Sequence, residues 1–67
     1  MQILRFIRGK NEYRQVSIAD DGSYRIWAQT GLIGKRHENF NEYYQHLIDN
    51  GWRKATLTEF LNVKYIK

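Results

Sequence analysis

The stretch GLIGKRH (31–37) holds the densest candidate chemistry in the chain: two glycines three apart, then a lysine, an arginine and a histidine. Such a cluster suits a phosphate. It is not a nucleotide-binding loop of the GxxxxGK[ST] kind, because the spacing differs and Arg36 stands where a metal-binding Ser or Thr is needed. Gly31 and Gly34 read instead as residues that permit a tight bend between strands. That bend would present Lys35, Arg36 and His37 together at one end of a sheet, near the start of a helix. Helix N-termini add free N–H groups and a favourable dipole for anions. A second basic group, Arg53 and Lys54, adjoins Trp52, with Lys64 and Lys67 beyond it. A third comprises Arg5, Arg8, Lys10, Arg14 and Arg25 along the strand-like segments. Arg25 beside Trp27 would set an aromatic among cations, a pairing that suits phosphates together with a sugar or an unstacked base.

Signs of catalysis are weak. His37 and His46 have no partners at a metal-ligand spacing of the HExxH kind, and His46 reads as a structural histidine on a helix flank. No Ser or Thr sits in a nucleophile elbow, and Asp20 and Asp21 are accounted for by a turn. A chain of 67 residues also has little volume for a ligand pocket of about 300 Å³ or more. Neither an enzyme nor a cofactor is expected. The net charge of +4, from 11 basic and 7 acidic residues, is compatible with a polyanionic partner and equally with plain solubility.

The elements that would hold these groups follow from periodicity. "QILRFIR" (2–8) and "EYRQVSI" (12–18) are strand-like runs separated by the turn cluster "GKN". "DDGS" then forms a hairpin turn, since Asp-Gly supplies the positive φ such a turn needs. In "YRIWAQ" (24–29) the side chains of Tyr24, Ile26 and Ala28 face one way and those of Arg25, Trp27 and Gln29 the other. Trp27 must therefore pack under a second element or stand at a functional surface; the more economical placement is beneath the helix, with the arginines as a solvated outer face. A short fourth strand is expected around 32–37.

The helix over 40–50 is the strongest local signal. Phe40, Tyr43, Tyr44, Leu47 and Ile48 form one apolar stripe. Asn39 is a good N-cap, Glu42 stands at the capping-box position, and Gly51 followed by Trp52 fits a Schellman ending. Beyond it, Thr56 and Glu59 could cap a single helical turn through Phe60 and Leu61, whereas "VKYI" (63–66) reads as a strand returning to an open sheet edge. The expected architecture is a single α+β domain over 1–67: a small antiparallel sheet of three to four strands, one amphipathic helix on one face and a C-terminal β tail. Two tryptophans, five tyrosines and three phenylalanines give so short a chain an efficient core. Cysteine is absent, so there is neither a disulfide framework nor a thiolate metal site. With no apolar run of bilayer length and no signal-peptide pattern, a cytoplasmic protein without membrane contact is expected.

In order, these residues resemble the WGR domain, which accompanies poly(ADP-ribose) polymerase catalytic domains and occurs in small bacterial proteins. Tyr13 opens a strand, "DDG" (20–22) makes a turn, Tyr24 and Trp27 lie on the next strand, and Gly31 and Gly34 match the two motif glycines. The stripe from Phe40 follows, then Trp52, Phe60 and "KY" (64–65), so that the likeness spans about residues 12–66. Thr30 and Leu32 replace the defining tryptophan and arginine. The resemblance implies the fold and nucleic-acid binding, and it carries over no binding residues.

The leading expectation is a small basic nucleic-acid-binding module that grips phosphates through Lys35, Arg36 and His37, then Arg53, Lys54 and Arg25. The alternative is a protein-interaction module or inhibitor, of the kind mobile elements encode, anchored by exposed Tyr, Trp and Arg. A dimer formed through the open edge of the first or last strand is a variant of that alternative.

Overall fold

The computed structural model describes residues 1–36 and 39–65. Five antiparallel strands form one sheet: β1 (Gln2–Arg8), β2 (Glu12–Ile18), β3 (Tyr24–Ala28), β4 (Gly31–Arg36) and β5 (Arg53–Lys54). Their spatial order is β4-β3-β2-β1-β5. Helix α1 (Phe40–Asp49) joins β4 to β5, and α2 (Leu57–Tyr65) follows β5. The α+β class matches the sequence expectation, with one more strand and one more helix.

The first two hairpins close where the turn residues demand. Gly9 takes φ +63° after β1, and Gly22 takes φ +89° in a turn closed by Ala19 N–H donating to Ser23 O at 2.8 Å. Because β4 and β5 are opposite edges, the chain must then cross four strand spacings, about 19 Å. The ten residues of α1 supply about 15 Å of that path. The crossing buries the helix stripe: Tyr43 and Leu47 join Phe6, Val16, Tyr24, Ile26 and Trp52 in the main core, flanked by Leu4, Ile18, Phe40 and Tyr44. Ile48, read as part of that stripe, is instead 41% exposed at its margin.

Both ends of α1 are chemically defined. Asn39 Oδ1 accepts from Asn41 N–H at 2.9 Å, while Glu42 contributes its charge to the first turn without a reciprocal side-chain bond among the described residues. At the other end Trp52 N–H donates to Leu47 O at 3.0 Å and Gly51 N–H to Ile48 O at 3.1 Å, with Gly51 at φ +87°. These are the two bonds of a Schellman ending. They turn the chain so that Trp52 folds back into the core.

The C-terminal segment corrects the expected β tail. Residues 63–65 continue α2 as helix, and Ile66 and Lys67 lie outside the described residues. The capping box at Thr56 is complete: Glu59 N–H donates to Thr56 Oγ1 at 3.2 Å and Thr56 N–H to Glu59 Oε1 at 3.1 Å. Leu57, Phe60, Leu61 and Lys64 then recur at helical spacing. The free side of β1 is occupied by β5, so the long open edge among the described residues belongs to β4. α2 packs on the face opposite α1, where Phe60 is buried edge-on against Tyr13 with ring centroids 5.2 Å apart.

Candidate functional site

Pleating sends alternate residues of each strand to opposite faces, and this separates the basic residues that look clustered in sequence. Arg25 lies opposite Lys35 and also opposite Ser17, while Trp27 lies opposite Gln15 and Leu32. Arg25, Lys35, Trp27 and Leu32 thus share the face that carries α2. Arg36 lies opposite Tyr24 on the α1 face, where its guanidinium sits 5.1 Å from the centre of the Tyr43 ring. The expected cluster is therefore split: Lys35 and Arg36 are strand residues on opposite faces, and His37 lies outside the described residues. The bend precedes them, at Gly31 with φ +103°, while Gly34 lies within β4 opposite Ile26 and needs no positive φ.

Arg53 and Lys54 form β5, at the far edge of the sheet from Lys35. Arg53 is taken up by Glu59, Nη1 to Oε2 at 2.7 Å. Arg8 is likewise held by Glu12 at 2.7 Å and donates to Asn50 O at 3.1 Å. Hydrogen bonds lower the pKa of both carboxylates. Glu12 is held below the ordinary carboxylate range chiefly by Arg8, and Glu59 chiefly by the Thr56 N–H and then by Arg53. Arg14 donates to the Tyr43 hydroxyl at 3.2 Å, and Arg8 and Arg14 lie over the Trp52 ring at 4.7 and 4.6 Å. Those two arginines serve the core.

What remains for a partner is narrower. Arg25, Lys35 and Lys64, like Lys10, Arg36 and Lys54, have no carboxylate within 4.0 Å among the described residues, and Lys64 Nζ lies over the Tyr13, Phe60 and Tyr65 rings at 6.0, 5.8 and 5.2 Å. Trp27, which the economical reading placed beneath the helix, faces away from α1 and is 38% exposed. Its indole N–H donates to Ser17 Oγ at 3.3 Å. Between β3 and α2 runs a cleft of about 240 Å³ whose walls include Tyr13, Trp27, Gln29, Phe60 and Lys64. Tyr13, Gln29 and Lys64 also line a neighbouring cavity of about 610 Å³. Sequence reasoning missed this cleft because it took residues 63–65 for a strand; the signal that could have revealed it was the Thr56–Glu59 capping box.

Among the described residues no group of three or more His, Asp or Glu side chains is placed to hold a metal ion, and no helix is long and apolar enough to cross a membrane. Compared with protein-family profiles, curated proteins and solved structures, the chain gives no match. Fold and site together define a small α+β module in which α1 covers one sheet face and α2 part of the other, leaving a basic-aromatic surface on β3 and β4 beside α2.

Proposed function

We propose that this protein is a nucleic-acid-binding module, without enzymatic activity, that grips phosphates with the part of the sheet face that α2 leaves uncovered. One observation carries the reading: Arg25 and Lys35 stand opposite each other on β3 and β4, free of ion pairs among the described residues, on the face where Trp27 is exposed. Cations without an ion pair among the described residues suit a polyanion, since each neutralised phosphate releases counterions. Lys64 extends the basic surface along α2. Lys54 and Arg36 are secondary candidates, and Arg53 is weakened by its pairing with Glu59. The WGR-like order of residues points the same way.

The test is fluorescence anisotropy of labelled oligonucleotides at about 50 and 200 mM salt. Affinity should fall steeply with salt and fall again in the Arg25→Ala/Lys35→Ala variant, while Arg53→Ala changes it less. Absence of binding at the lower salt would refute the reading.

A second reading rests on a different surface. Leu57, Leu61 and Tyr65, at 52%, 39% and 68% exposure, recur every four residues along the outside of α2. Such a stripe suits a protein partner. A pull-down that recovers no stoichiometric partner would count against it.

A further inference from the structure

We propose that the cleft between β3 and α2 takes one unstacked nucleobase, making the module selective for single strands over duplex. This rests on the phosphate-binding reading above. The cleft lining is aromatic: Trp27 is the exposed ring on the sheet, and Tyr13 and Phe60 meet edge-on beneath α2 with Lys64 Nζ over both at 6.0 and 5.8 Å. Because Ser17 engages the indole N–H, what Trp27 offers the cleft is its ring surface. A base in a duplex has both faces covered by its neighbours, so only an unstacked base can use that surface.

Polar groups suited to a base edge stand in the same place. Gln29 donates its side-chain N–H to Asn11 O at 2.6 Å, which directs its carbonyl oxygen elsewhere as an acceptor. Gln15, also in the cleft wall, has no side-chain hydrogen bond among the described residues and keeps both donor and acceptor. Among the described residues, Lys64 is the charged residue lining both cavities and no carboxylate lines either one. A strand seated here would place its base beside Trp27, with flanking phosphates near Lys64 on α2 and near Arg25 and Lys35 on the sheet.

Phosphate contact alone predicts the opposite preference, because the duplex carries the higher charge density. The experiment compares three labelled probes of equal length at about 50 mM salt: a mixed-sequence single strand, the matching duplex, and a strand abasic at every position. The intact strand should bind tightest, exceeding the abasic strand by roughly 5- to 150-fold, the range of one base–aromatic stack. Trp27→Ala should abolish that difference, and Trp27→Phe should retain most of it. Equal affinity for the intact and abasic strands would overturn the base-binding cleft and leave the phosphate reading standing. If none of the three probes binds, both fall.

Discussion

Trp52 and Trp27 lie on opposite faces of the same sheet, and each has arginine or lysine among its neighbours. Trp52 is 5% exposed, bracketed by Arg8 and Arg14 and packed with Phe6, Leu47 and Tyr43. Those arginines are already engaged, by Glu12, by Asn50 O and by the Tyr43 hydroxyl. Trp27 is 38% exposed beside a cleft, and Arg25 and Lys35 on its face lack ion-pair partners among the described residues. Aromatic residues with basic neighbours thus close a core on one face and offer a surface on the other. Whether a cation is already paired, not how many there are, separates the two roles.

The comparison breaks most visibly through stability. Leu47→Ala removes a fully buried side chain from the α1 face and should cost about 2–5 kcal/mol, a large share of the total for a domain this small. Trp27→Ala should cost well under that, and urea denaturation of both variants measures the contrast. Equal losses would make Trp27 a core residue. Gly51→Ala comes next. Its φ of +87° imposes a left-handed backbone on a residue with a side chain, at about 1–2 kcal/mol, and the added methyl would meet only Arg8 Cδ at an ordinary 3.7 Å. A neutral result would mean that the Schellman turn does not position Trp52.

Smaller effects probe the α2 face. Thr56→Ala removes the cap hydroxyl and should cost about 1 kcal/mol, seen as lost helical circular dichroism with the α1 core intact. The pH dependence of the same end has a definite sign. Glu59 has a lowered pKa in the folded chain, so its contribution is present above the ordinary carboxylate range and is lost as pH falls through the folded value. Acid titration of helicity should show this loss, reduced in Glu59→Gln. An unchanged profile in that variant would assign the acid sensitivity elsewhere, with Glu12, lowered by Arg8, the next candidate.

Much of the α1 side was legible in the sequence because its signals are local. Asn39, the stripe from Phe40 and the Gly51–Trp52 ending act within one contiguous segment, residues 39–52, and the alternation through Tyr24 and Trp27 assigns faces without reference to the rest of the chain. The α2 side was not. In "LTEFLNVKYI" the apolar residues fit a helical repeat at Leu57, Phe60 and Leu61, yet Val63 and Tyr65 also alternate like a strand, and only the capping box decides between them. The choice of cations was hidden for another reason. The Arg53–Glu59 pair and the Arg14–Tyr43 hydrogen bond are tertiary, so charge runs in sequence could not show which bases are already engaged. Gly34 misled in the same way, since a glycine that follows a turn need not be part of it.

The most direct test of the two-face account uses the tryptophans as internal reporters. Their indole N–H signals should be followed by ¹H–¹⁵N NMR as a mixed-sequence single strand is added at about 50 mM salt. The account predicts that the Trp27 indole shifts, together with the amides of Arg25, Lys35 and Lys64, while the Trp52 indole stays in place. Shifts centred on Trp52, Arg53 and Lys54, with Trp27 unmoved, would contradict it.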